Sequence, residues 1–136
     1  RQLETIMDAM LTAVGRLEGR DLETVATGLA TAWFDAKMAD IISSRAIYAI
    51  AAEFDLADIM SRAMRLMVDV IDRLLATVPQ VRFADSNAAA FMLAATLGGS
   101  VRVVMEGGAS EEDLAQLRNE LPRACFAYLE AVSHRV

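Results

Sequence analysis

Apolar residues recur at helical spacing along nearly the whole chain. Leu3, Ile6, Met7, Met10, Leu11 and Val14 fall on one face of a helix over residues 2–17. Gly15 and Gly19 bracket its end, and Gly19 suits the position just past the last turn. Asp21 is placed to cap a second helix over 22–39, with the stripe Leu22, Val25, Leu29, Ala32, Trp33 and Ala36. No charge occurs from Thr24 to Phe34, so much of this helix should be covered. A third helix near 41–53 carries Ile42, Ile47 and Tyr48, with Phe54 just beyond it. Asp55 caps a fourth over 56–78, whose apolar face is Leu56, Ile59, Met60, Met64, Met67, Ile71, Leu74 and Leu75. Its polar face offers the i,i+4 pairs Asp58–Arg62, Arg65–Asp69 and Asp69–Arg73, each worth about 0.2–0.5 kcal/mol. Pro79 stops that helix, and 79–85 reads as a loop anchored by Val81 and Phe83.

The next stretch is the least amphipathic. A fifth helix over 86–106, capped by Asp85 or Ser86, has almost no polar face: between Ala88 and Met105 only Thr96, Ser100 and Arg102 carry polar side chains. A helix that is apolar all round must be covered on more than one side. One side can face the chain's own core, and a second copy of the chain would cover the other. The competing reading is a central core helix packed only by its own neighbours. Gly107–Gly108 ends it, and Ser110-x-x-Asp113 has the form of a capping box for a sixth helix reaching residue 132. That helix carries Leu114, Leu117, Leu121, Cys125 and Tyr128 on one face, and Pro122 is expected to kink it near 118–121. The whole is an all-α domain of about six helices, residues 1–136 forming one unit.

Composition narrows the function classes. Net charge is −6, which argues against direct contact with nucleic acid or anionic lipid. Cys125 is the only cysteine, so no intrachain disulfide forms and a cytoplasmic location is expected. No segment reads as a signal peptide, and the longest uncharged run, 86–101, falls short of the roughly 18 or more residues a membrane span needs. Catalysis has little to build on. His134, the only histidine, sits by an expected frayed C-terminus, and Cys125 lies on an apolar face. No His, Cys and carboxylate spacing suits a metal, and no cofactor motif is present, so neither an enzyme nor a cofactor protein is expected.

The last two helices, AAFMLAATLGGSVRVVMEGGASEEDLAQL followed by ACFAYL, resemble the C-terminal domain of TetR/AcrR-type bacterial transcriptional regulators. The shared features are the mid-helix Gly98–Gly99, Arg102, the Gly107–Gly108 turn, the acidic capped start at Ser110–Asp113 and the closing Tyr128–Leu129. The resemblance implies the effector-binding and dimerisation part of a regulator. It also implies DNA binding only through an N-terminal helix-turn-helix that these residues do not include.

Two sets of residues follow from this reading. Ala94, Ala95, Gly98, Gly99, Arg102, Leu114, Leu117, Leu121 and Tyr128 are expected at a homodimer interface in which two helices per subunit form a four-helix bundle. Arg102 should find a carboxylate such as Glu106. A pocket for a small apolar effector is expected among the first four helices, lined from Met7, Met10, Thr31, Trp33, Phe34, Met38, Tyr48, Phe54, Met60, Met64, Met67 and Phe91. Methionines and aromatics at this spacing also serve as plain core filler. The hydroxyls of Thr24, Thr27 and Thr31 can bond carbonyls one turn back in their own helix or line a cavity. The alternative to a regulator domain is a stand-alone helical homodimer that binds proteins.

Overall fold

A computed structural model describes residues 2–39, 46, 57–108 and 110–136. Among these residues the elements are α1 (Gln2–Leu17), α2 (Leu22–Met38), α3 (Ala57–Ala76), β1 (Val81–Phe83), α4 (Ser86–Glu106), α5 (Glu111–Val132) and β2 (Ser133–Arg135). The described chain is thus five helices and one small pair of strands. The helix expected near 41–53, with Tyr48, Phe54 and the cap Asp55, lies outside the described residues.

Helix starts follow capping chemistry. Asp21 accepts the Thr24 N–H at 3.0 Å, and Asp85 accepts the Ala88 N–H at 3.0 Å. Each satisfies a donor that the first helical turn leaves without a partner. Ser110 accepts the Asp113 N–H at 3.2 Å, and Asp113 reaches back to the Ser110 N–H at 3.4 Å, completing the capping box. After α1 the chain reverses through Gly19, whose φ of +76° suits a residue without a Cβ. The Gly19 N–H then donates to the Thr77 hydroxyl at 2.9 Å, tying this turn to the end of α3. Thr27 donates to the Glu23 carbonyl at 2.8 Å, the local bond that its place in the helix allows.

The core forms where α2 packs on α1 and α5, and α3 packs on α4. Met10, Leu29, Ile71, Leu74, Leu75, Leu93, Leu97 and Leu129 are fully buried there. A smaller cluster of Phe34, Val101 and Met105 sits beside it, with Trp33, Met38, Met60, Leu114 and Leu117 against it. α5 continues through Pro122, whose missing N–H leaves the carbonyl of exposed Arg118 without that helical partner.

Three expectations need correction. Residues 81–83 are a strand, and the C-terminus is not frayed: β1 pairs antiparallel with β2 in the register Val81↔Arg135, Arg82↔His134 and Phe83↔Ser133. Val81 and Phe83 turn half-buried against the core while Arg82 faces out, the alternation that a strand imposes. Second, the three pairs expected along α3 do not come within ion-pair distance. Among the described residues the ion pairs are Arg102–Glu106, Arg118–Asp35 and Arg123–Glu120. Exposed α3 side chains gain too little in water to offset the freedom they would lose. Third, α4 is long and apolar enough to cross a membrane by length and composition, because the helix tolerates Arg102 and runs past residue 101. Its residues Ala89, Ala90, Leu93, Ala94, Leu97, Val101 and Met105 are buried within the chain.

Candidate functional site

Four helices converge on a cavity of about 470 Å³, within the size range of small-molecule sites. α1 brings Ile6 and Met7, and α2 brings Trp33 and Lys37. α3 contributes Met60, Ser61, Ala63, Met64 and Met67, and α4 closes the space with Ala94, Ala95, Gly98, Gly99 and Arg102. The room comes from α4. A Cβ built on Gly98 or Gly99 would meet nothing within 4 Å, so open volume lies beside both glycines.

Trp33 fixes the junction of α2 and α4. Its indole N–H donates to the Leu97 carbonyl at 2.9 Å, so the ring's one polar atom is satisfied and its apolar body remains on the cavity wall. Lys37 stands one helical turn further on and is only 4% exposed. Its Nζ lies 4.9 Å from the centre of the Trp33 ring, within cation–π range. Burial disfavours the charged amine and brings its pKa down to about 8. Arg102, at the opposite side, is more exposed and bonds Glu106 at 2.9 Å, the partner expected for it.

Of the residues expected at a pocket, Met7, Trp33, Met60, Met64 and Met67 line this cavity. Met10 is wholly in the core instead. Phe34 is buried with Val101 and Met105, and the Arg118 guanidinium lies 5.9 Å from its ring centre. Met38 packs against that same cluster, while Thr31 and Phe91 are exposed. Tyr48 and Phe54 are outside the described residues.

The residues expected at a dimer interface divide differently. Ala94 and Leu121 lie in the chain's own core, each 3% exposed, which leaves them no surface for a partner. Leu114, Leu117 and Tyr128 are half-buried against their own chain. Ala95, Gly98, Gly99 and Arg102 border the cavity. Ala95 and Gly98 are half-buried and Gly99 is exposed, so this stretch of α4 borders the cavity and the surface alike. The outward side of α4 remains apolar, with Ala88, Phe91, Met92 and Val103 all exposed, Val103 at 72%.

Lys37, Ile6, Ser61 and Ala63 were not among the residues expected at a pocket. For Lys37 a signal existed: it is the only lysine of the chain and lies four residues after the only tryptophan, on the same helical face. Elsewhere the chemistry is quiet. The buried Cys125 thiol is pushed up to about 11 by desolvation, so it carries no thiolate at neutral pH. Among the described residues no group of three or more His, Cys, Asp or Glu is placed to hold a metal ion.

The family profile described as tetracyclin repressor-like, C-terminal domain, covers residues 21–129. No curated protein and no solved structure matches the chain.

Proposed function

Because this chain belongs to the family of tetracyclin repressor-like C-terminal domains, we propose that it is the effector-binding and dimerisation domain of a transcriptional regulator. The observation that carries this reading is the methionine-lined cavity at the meeting of α1, α2, α3 and α4. Methionine side chains adapt to varied apolar shapes. The ligand is a small, largely apolar molecule held between Met60, Met64 and Met67 on one side and Trp33 on the other.

The geometry supports a route for coupling to an attached DNA-binding domain. α1 is held at its C-terminal end, where Gly19 bonds Thr77 and Leu17 packs on Gly28. Its other half presents Ile6 and Met7 to the cavity. A ligand that prefers one position of that half biases the whole helix. The coupling equals the difference in ligand affinity between the two positions and nothing more.

Dimerisation uses the outward face of α4, where Phe91, Met92 and Val103 would be covered by a second copy packed with α5 as a four-helix bundle. Light scattering on the 136-residue chain tests this together with native mass spectrometry. The expected result is a dimer that retains a co-purified small molecule. Met92→Glu combined with Val103→Glu should yield a monomer with unchanged helical circular dichroism. A wild-type chain that is monomeric at micromolar concentration would overturn the interface.

A further inference from the structure

The cavity and the outward face of α4 share residues. Ala88, Met92, Ala95, Gly99 and Arg102 follow one another at steps of three or four, so they form one stripe along the helix. Ala88, Met92, Gly99 and Arg102 are exposed on it, and Ala95 is half-buried. Ala95, Gly99 and Arg102 also line the cavity. The cavity therefore reaches the surface along this stripe. At Gly99 its lip has no side chain, and a Cβ built there would meet nothing within 4 Å.

On its other side the stripe continues onto α5. Val103, next to Arg102, borders a groove whose far wall is Gln116, Leu117 and Glu120. From Gln116 and Glu120, steps of three or four lead along α5 to Ala124, Ala127 and Ala131, all exposed. Two neighbouring helices thus present small and apolar residues beside the mouth of the cavity. Small side chains allow a facing helix to come close. Arg102 and Glu106 pair with each other at one end of the α4 stripe, so that end does not select a charged partner. A second copy of this chain meets such a face with an equal one.

We propose, resting on the pocket and dimer readings above, that the second copy completes the ligand site. Its α4 covers the mouth of the cavity at Ala95 and Gly99, and an apolar ligand is then shielded from water on that side as well. Ligand binding and dimerisation strengthen each other by the same free energy. A 10-fold gain in affinity needs only about 55 Å² of additional apolar burial.

Trp33 is the only tryptophan and lies on the cavity wall, so its emission reads occupancy. The probe is 1-decanol, which is neutral and so indifferent to charge added by mutation. Met92 and Val103 do not line the cavity, so Met92→Glu with Val103→Glu separates the subunits and leaves the wall of each intact. The wild-type dimer should bind 1-decanol at least about 10-fold more tightly than this monomeric variant. With one site in each of two subunits, saturating 1-decanol should lower the dimer dissociation constant about 100-fold, read by sedimentation over a dilution series. Should the variant fail to fold, dilution of the wild-type chain gives the same comparison, and decanol affinity should fall as monomer forms. Equal affinity of monomer and dimer, or a dimer constant that decanol does not move, overturns the shared site and leaves pocket and interface standing. A wild-type chain that is monomeric with and without decanol overturns the interface, and this inference with it. No response of Trp33 emission in either form overturns the pocket reading instead, and the inference again falls with it.

Discussion

Gln80 takes a left-handed backbone conformation, with φ at +62°, the only non-glycine among the described residues to do so. A Cβ in that conformation crowds its own following carbonyl. The structure around it leaves no choice: the Gln80 carbonyl accepts the Val136 N–H at 3.1 Å, between buried Val78 and strand β1. Gln80→Gly should therefore raise stability by about 0.5–1 kcal/mol, read from the urea midpoint, and Gln80→Val should lower it by more. Equal midpoints for the two variants would rule out strain at this position. Single residues were unevenly legible in the sequence. Asp21, Asp85 and Ser110 were readable because a cap acts within three residues of itself. Lys37 was legible only in its spacing from Trp33, because its place on the cavity wall depends on α3 and α4 lying across from it.

Among the elements, α5 is the one whose start depends most visibly on side chains. Ser110 and Asp113 exchange bonds of 3.2 and 3.4 Å, and Glu111, Glu112 and Asp113 place negative charge at the positive end of the helix. Ser110→Ala should cost about 1 kcal/mol in thermal or urea unfolding. Asp113→Asn should cost less, since it weakens only the longer bond and part of the charge term. The reverse order would show that the reaching-back carboxylate dominates. Helix existence and ends were legible for α1, α2 and α5 because apolar period and end signals agree in each, and for α4 from its capped start and closing glycines. The strand pair was not, since three-residue segments have no measurable period and their partners lie some fifty residues apart. The role of α4 was half legible. Its lack of a polar face correctly implied cover on several sides, but periodicity could not tell which small residues border a cavity and which face outward.

In the molecule as a whole, β1 and β2 join the segment before α4 to the segment after α5, so the two helices stand in a loop closed at its base. Removing residues 133–136 should lower stability by about 1–2 kcal/mol, through the lost backbone bonds and the exposure of Val81 and Phe83. It should also speed hydrogen exchange at the start of α4 more than in α3. Uniform acceleration through the chain would mean that the strands do not act as a local clasp. The overall architecture was legible because five long helices dominate it, while the closure that holds their ends together was not. Gly98 and Gly99 carry the last consequence. Each forgoes about 1 kcal/mol of helix stability relative to alanine, in the middle of the chain's most apolar helix, with nothing within 4 Å to forbid a larger residue. A chain selected for robustness alone would fill these positions. On the proposed function, a single-carbon addition at either glycine would lower the size of the largest molecule the domain accepts, and the same addition would make the helix more robust.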